Sequence, residues 1–197
     1  SDTPGIMHDM RVTDQSTPVG TFAGDVKEGL TSTPKYLQAK YFYDKIGSEL
    51  FEEITEQPEY YPTQTESSIL RDRAGDIRNA MDGDISLVEL GSGSSNKTAI
   101  LLENILEEQG ELNYLPIDIS GKMVAQAAER LNDDFDRLAI IPIASEYGAG
   151  LNRANRIVAE KDQIPDRKMI LFLGSTIGNF EPEASRGFLE MTRERMH

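Results

Sequence analysis

The spacing of apolar residues along the chain predicts two parts, residues 1–82 and residues 83–197. The first part is expected to be an N-terminal arm followed by a helical segment. Up to about residue 35 the sequence is polar and lacks a sustained period, so this stretch is expected to be irregular. Beyond it, apolar residues recur with helical spacing. Ser48 is expected to cap one helix, and Thr63 and Glu66 have the capping-box spacing that starts a second helix.

The second part alternates short apolar runs with helical periods. Its helices are predicted to begin near Thr98, Ser120, Leu151 and Pro182, and its strands to cover 85–90, 112–117, 138–143 and 169–173. This alternation predicts an α/β fold, an open and mostly parallel Rossmann-like sheet with helices on both faces. Such a sheet generally has five or more strands, so the sheet is expected to be incomplete and the chain to stop early.

The composition narrows the possible partners. No apolar run approaches the roughly 20 residues that span a bilayer, and no signal-peptide core is evident, so a cytoplasmic protein without a membrane partner is expected. The net charge of −14, without a Lys/Arg cluster, argues against nucleic acid. Cysteine is absent, and the two histidines, His8 and His197, lie near the chain ends. A thiolate or histidine metal site and a histidine-based triad are therefore not expected.

A glycine-containing loop, Gly91-Ser92-Gly93-Ser94-Ser95, joins the first predicted strand to a helix. Glycine lets the backbone approach a ligand, and the free N–H groups at a helix start are donors. The same loop can also be an ordinary tight turn. Glu89 ends the strand before the loop, and Asp118 ends the next strand, where an acid can bind both ribose hydroxyls or act only as a cap. These residues favour a nucleotide-type site.

Two other nucleotide-binding classes fit the loop less well. Gly91, four residues and then Asn96-Lys97-Thr98 match the phosphate-binding P-loop, except that Asn stands where Gly is required. The fourth predicted strand also ends without the Asp that would support magnesium. The dinucleotide-binding pattern of dehydrogenases requires a third glycine at position 96, where this chain has Asn96. S-adenosylmethionine carries no phosphate and can dispense with that glycine, so the methyl donor is favoured. An NTPase therefore ranks third, after a methyltransferase and a module that only binds the methyl donor.

Two further stretches are distinctive. Pro58-Glu59-Tyr60-Tyr61-Pro62 is an aromatic turn between prolines, and Gly174-Ser175-Thr176-Ile177-Gly178-Asn179 follows the fourth predicted strand. These two stretches lie within residues 58–63 and 172–180. Together with residues 40–44, 47–54, 87–93 and 97–98, those residues resemble the histidine-specific S-adenosylmethionine-dependent methyltransferases, the Nα-methyltransferases of ergothioneine biosynthesis. The resemblance covers about residues 18–195 and implies a class I methyltransferase fold.

The resemblance implies S-adenosyl-L-methionine as cofactor, and no metal. With the loop residues, it gives these cofactor-binding positions: Glu89, Gly91, Gly93, Lys97, Asp118, Glu146 and Tyr147. The family usually has Asp-Phe where this chain has Glu146-Tyr147. The substrate-binding positions are Tyr43, Tyr60, Tyr61 and Asn179. The two adjacent tyrosines can instead be packing residues, and 174–179 can be only a strand-to-helix turn. No residue is assigned as catalytic.

The predicted function is N-methylation of the α-amino group of L-histidine or a similar small amino acid, with trimethylation to hercynine implied by the resemblance. A tyrosine hydroxyl and an asparagine amide can orient the unprotonated amine without a strong base. The main alternative is a non-catalytic module that binds the donor only. Because the family continues with further residues that bind the substrate, this chain is expected to be a weak catalyst alone. The open edge and uncovered apolar faces of an incomplete sheet are expected to make it self-associate.

Overall fold

A computed structural model describes residues 22–37, 39–42, 44–161 and 163–196. The helices are α1 (Phe22–Thr31), α2 (Lys45–Thr55), α3 (Tyr61–Asn79), α4 (Thr98–Gln109), α5 (Gly121–Asp134), α6 (Tyr147–Glu160) and α7 (Pro182–Glu194). The strands are β1 (Ser86–Leu90), β2 (Leu112–Asp118), β3 (Leu138–Ile140), β4 (Ile143–Ala144) and β5 (Lys168–Leu171). Short 3-10 helices cover Ala39–Phe42 and Thr176–Asn179.

The prediction of an irregular N-terminal layer is wrong for α1. Phe22, Val26 and Leu30 recur at helical spacing within this short stretch, and the helix also contacts residues that follow it. The Phe22 ring packs edge-on against Tyr41, with ring centroids 4.8 Å apart, and the Tyr41 hydroxyl donates a 2.6 Å hydrogen bond to Asp25. Gly29 lies so close to the Tyr36 carbonyl that an added Cβ would meet its oxygen at 2.2 Å. Periodicity cannot report contacts of this kind.

The predicted caps of the next two helices are also wrong. The N-cap of α2 is Asp44, whose carboxylate accepts a 2.8 Å hydrogen bond from the Gly47 amide, and Ser48 lies within the helix. At α3 the N-cap is Tyr60, which makes no side-chain capping bond, and a proline occupies the first turn. Proline needs no capping partner because it has no N–H. The Glu66 carboxylate is consequently free to bind elsewhere.

The sheet is parallel, in the order β3–β2–β1–β5, with β4 pairing farther along β2. This confirms the predicted α/β fold class. The predicted strand 138–143 is split into β3 and β4 around Pro142, which has no N–H for the ladder. The helix predicted from Leu151 begins earlier, at Tyr147. The helix predicted to begin near Ser120 does so, and the Ser120 side chain caps it by accepting from the Met123 amide.

Helices cover both faces of the sheet, and each face has its own apolar core. On one face Leu87 and Tyr114 pack with α3, α4 and Leu131 of α5. On the other, Val88 and Leu115 pack with α6 and with Phe188 of α7. The five residues of β1 are all buried, as expected for a central parallel strand. None of the helices described in the structure is long and apolar enough to cross a membrane.

The strand order determines where a ligand can bind. The chain runs from β1 to β2 and β3 on one side and later returns to place β5 on the other side of β1. In open α/β sheets, ligands bind outside the carboxyl ends of the strands at this reversal. Two loops begin there: residues 91–97 after β1, called the β1 loop below, and residues 172–179 after β5, called the β5 loop.

Candidate functional site

The β1 loop turns sharply away from the sheet at its first residue. The amides of Gly91 and Ser92 both donate to the Ile117 carbonyl, at 2.8 and 3.2 Å. Gly91 has a φ of +68°, and a Cβ added there would lie 3.1 Å from the Tyr147 hydroxyl oxygen. Gly93 also has a positive φ, +51°, but an added Cβ there would meet no atom of the described residues within 4 Å. Both positions thus favour glycine for the turn, and the backbone at Gly93 is in addition open to a ligand.

Glu89 lies beneath this loop rather than in the open site. Its side chain is buried, and one carboxylate oxygen accepts a 2.6 Å hydrogen bond from the Thr98 hydroxyl. The other oxygen accepts from the Tyr114 hydroxyl, which also bonds the Ser95 hydroxyl at 2.9 Å. Ser95 has a φ of +54°, in the left-handed region. Glu89 thus ties the start of α4 and the strained part of the loop to β1 and β2.

Burial makes this network sensitive to protonation. Desolvation raises the pKa of Glu89 from 4.5 to about 7, although hydrogen bonds from Thr98 and Tyr114 and the charge of Lys97 oppose the shift. The charge of Asp118 adds slightly to it. Burial and the adjacent Glu89 carboxylate raise the pKa of Tyr114 well above its ordinary value. The phenol therefore stays protonated at neutral pH, while Glu89 exchanges its proton near neutrality.

Asp118 lies at the end of β2, beside the open part of the loop. One oxygen of its half-buried carboxylate accepts from the Gly93 amide and the other from the Ser120 amide, both at 2.9 Å. Each carboxylate oxygen can accept more than one hydrogen bond. The predicted pair of Gly93 and Asp118 is therefore adjacent in the fold, with acceptor capacity left for a diol.

Lys97 of the β1 loop is connected to the β5 loop through Glu66, which the sequence predicted to be part of a helix cap. Its ammonium group forms an ion pair with Glu66 of α3. The second Glu66 oxygen accepts a 2.8 Å hydrogen bond from the Gly174 amide in the β5 loop. A Cβ added to Gly174 would lie 3.2 Å from the Lys97 Nζ. No sequence pattern indicated this cluster, because Glu66 matches the capping-box spacing.

Glu146 and Tyr147 occupy the start of α6. Glu146 is the N-cap residue, is exposed and makes no capping bond through its side chain. The Tyr147 ring packs edge-on against Phe172 and Phe188, with centroids 5.6 and 5.5 Å apart. Its hydroxyl lies against Gly91. The pair therefore places an exposed acidic side chain and an anchored aromatic ring next to the β1 loop.

Three of the four predicted substrate residues lie in the described part of the chain. Tyr60 precedes α3, is half-buried and packs edge-on against Phe51 at 6.0 Å. Tyr61 is 70% exposed, so it is not an interior packing residue. Asn179 is exposed at the end of the 3-10 helix in the β5 loop. Tyr43 lies outside the described residues. The Glu66–Gly174 hydrogen bond joins the helix that follows the tyrosines to the loop that carries Asn179.

The site has features that suit an adenosyl ligand. The Ser92 hydroxyl is buried and has no hydrogen-bond partner among the described residues, which leaves a polar group of the loop unsatisfied. The backbone at Gly93 is open, and Asp118 stands next to it. A ribose diol needs an acceptor pair of this kind, and an adenosyl group without phosphate does not need a third loop glycine.

Comparison with known proteins identifies the family of this chain. Residues 22–197 match the family model of the histidine-specific, S-adenosylmethionine-dependent methyltransferases. Histidine N-alpha-methyltransferases of Mycolicibacterium smegmatis and Mycobacterium tuberculosis are each 38% identical over 84% of this chain and 49% of their own length. A 4-dimethylallyltryptophan N-methyltransferase of Claviceps purpurea is 29% identical over 83% of the chain and 47% of its own length.

One solved structure, of a Methanococcus maripaludis protein assigned as an S-adenosyl-L-methionine-dependent methyltransferase, aligns with a TM-score of 0.41. It is 21% identical over 76% of this chain and 58% of its own. The chain spans about half the length of the curated relatives it matches. These relatives give no support to the P-loop NTPase alternative. Since the family model covers most of the chain, the protein belongs to the histidine-specific, S-adenosylmethionine-dependent methyltransferase family.

Proposed function

We propose that this chain binds S-adenosylmethionine and takes part in N-methylation of the α-amino group of an amino acid, with L-histidine as the favoured substrate. The observation that carries the proposal is the juxtaposition of the Asp118 carboxylate with the open backbone of Gly93 at the ends of β1 and β2. Membership of the family supports the donor and the reaction type. The two mycobacterial relatives support histidine as the substrate.

In this proposal the chain holds the donor from three sides. Asp118 binds the ribose hydroxyls, since its oxygens keep acceptor capacity beyond the two amides they already bind. Lys97 provides a cation at the crevice between β1 and β5, where it suits an anionic group of the ligand. Glu146 and Tyr147 take the adenine side, although the family usually has Asp-Phe there. Glu89 acts indirectly, because both its oxygens are bound inside the protein.

Methyl transfer mainly requires that the protein align the amine nitrogen with the methyl group of the donor. The donor supplies a methyl group already activated by the sulfonium, which leaves as a thioether. The nitrogen lone pair of the amine forms the new bond, and the amine then gives a proton to solvent. Tyr60 or Tyr61, with Asn179, would orient the unprotonated amine by hydrogen bonds. The exposed positions of Tyr61 and Asn179 leave both side chains accessible to a small molecule.

Calorimetry with S-adenosylmethionine, S-adenosylhomocysteine and ATP with magnesium tests the proposal directly. Binding of the first two without magnesium is expected, and ATP is expected not to bind. Mass spectrometry of amino acids incubated with the donor then tests the substrate, with successive methyl additions to histidine as the expected result. Donor binding without any methylation would favour the binding-module alternative. Magnesium-dependent ATP binding without donor binding would refute the proposal.

A further inference from the structure

The Glu66 carboxylate contacts both loops of the site at once. One oxygen pairs with the Lys97 ammonium of the β1 loop, and the other accepts the Gly174 amide of the β5 loop at 2.8 Å. The partners lie 31 and 108 residues from Glu66 in sequence, so the contact joins three separate elements of the fold. Neither bond is made within α3, the helix that carries Glu66. The side chain therefore serves the arrangement of the loops.

The environment of this ion pair differs from that of an ordinary surface pair. The side chains of Lys97 and Glu66 are 25% and 26% exposed. By contrast, the pair between Glu49 of α2 and Lys122 of α5 has side-chain exposures of 61% and 54% and a separation of 3.8 Å. Exposed pairs contribute little, because water and salt screen them and two long side chains lose freedom. The shielded pair is better able to fix the position of a side chain.

An ammonium group has three N–H donors, and Glu66 uses the side of Lys97 that faces α3. The remaining donors are left for a ligand, in directions that Glu66 helps to determine. The hydrogen bond to Gly174 fixes the β5 loop where its φ is +81° and that of the next residue, Ser175, is +58°. A glutamate at this point thus connects the β1 loop and the β5 loop through one carboxylate.

We propose that Glu66 is a positioning residue that orients Lys97 and the β5 loop for the donor and fixes α3, with the adjacent tyrosines, against them. The inference rests on the proposed donor site but concerns a residue that takes no direct part in binding. Its consequence is specific. Removing the Glu66 charge weakens donor binding through Lys97, although Glu66 itself touches no ligand.

The test is calorimetric titration of the whole chain with S-adenosylhomocysteine. Glu66→Gln keeps the shape and loses the charge, and it is expected to weaken binding by about tenfold, the equivalent of one charge-assisted hydrogen bond. Glu49→Gln is the matched control, because it makes the same chemical change in an ion pair that touches neither loop. It is expected to change binding by less than about twofold. Circular dichroism checks that each variant is folded.

A double-mutant cycle separates positioning from general stabilisation. Glu66→Gln is measured again in a Lys97→Met background, where its effect on binding is expected to be largely lost. A structural role would instead give the same loss in both backgrounds. Should Glu66→Gln not fold, Glu66→Asp, which keeps the charge with a shorter reach, is expected to weaken binding as well.

The outcomes can be told apart. If the Glu66 variants bind as tightly as the unaltered chain, the positioning role is overturned. Tighter binding overturns it too, because it would show that Glu66 competes with the ligand for Lys97. An equal loss in both backgrounds also overturns it. If the unaltered chain binds no donor at all, the proposed function itself fails and this inference falls with it. Only weakened binding that depends on Lys97, with an unaffected Glu49 control, supports the inference.

Discussion

Replacing Glu89 with glutamine keeps the size of the side chain but removes its proton equilibrium. In the native protein the carboxyl group is buried against Thr98 and Tyr114, and its pKa is raised from 4.5 to about 7. An amide can bond to the same two hydroxyls, because each hydroxyl can rotate to donate or accept. Any cost of the new bonds does not depend on pH. The difference between the two proteins therefore isolates the ionisation of Glu89.

The sign follows from the raised pKa. Between pH 4.5 and about 7 the folded state holds a proton on Glu89 that the unfolded state has released. The stability that this residue contributes is thus fully present below pH 4.5 and is lost as the pH rises through about 7. The interval between the two pKa values corresponds to about 3 kcal/mol at most. Relative to the native protein, Glu89→Gln should gain up to that amount across the window.

Urea unfolding at pH values of about 4.5, 6 and 8.5 measures the effect as the free energy of unfolding of each protein. The gap between Glu89→Gln and the native chain should widen in favour of the variant as the pH rises. Glu107→Gln makes the same chemical change at an exposed residue of α4 and serves as the control. A constant gap for Glu89→Gln, or one that moves in the opposite direction, would contradict the raised pKa of the buried carboxyl group.

Two further changes test the loop and the predicted ribose site. Asp118→Ala should weaken donor binding by about 1–3 kcal/mol in calorimetry, since it removes a charged acceptor; Glu107→Ala, equal in chemistry but exposed, should not. Gly91→Ala should lower the free energy of unfolding by about 1–2 kcal/mol because its φ is +68°. Gly75→Ala, inside α3 with nothing near an added Cβ, should raise it by roughly 0.5–1 kcal/mol. Equal effects of the two alanines in denaturant titrations would show that Gly91 is not strained.

The sheet part of the fold could be predicted because its elements are governed by burial. Strand β1 is apolar on both faces apart from Glu89 and Ser86, and α4 carries its buried leucines and isoleucine at helical spacing. The errors in this part are small and local, such as the break at Pro142. In the N-terminal part, α1 depends on contacts with Tyr36 and Tyr41. The apolar period of α1 extends over only ten residues inside a polar stretch, and the contacts that complete the helix leave no periodic signal.

For the candidate site, the sequence indicated which polar residues follow the strands, but not the direction in which each side chain points. Gly93 and Asp118 were each predicted as donor-binding positions, and they form a hydrogen bond because neighbouring parallel strands end at one edge of the sheet. Glu89 was expected in the open site because it ends a strand. Its orientation toward α4 follows from the alternation of side chains along β1, on the same face as Leu87. Counting that alternation would have placed it inside.

Glu66 shows where a correct local rule gives the wrong partner. Its spacing from Thr63 fits a capping box, and a carboxylate near a helix start is favourable in any case. In the folded chain the competing partners are an ammonium and a loop amide, both beside the crevice. A bond to a charged donor is roughly twice as strong as a neutral one. Pro62 also removes one of the amides that a cap would serve. The Glu66 carboxylate therefore bonds to the shielded Lys97 cation rather than to a helix amide. As a result, a residue whose spacing fits a helix cap links the two loops instead.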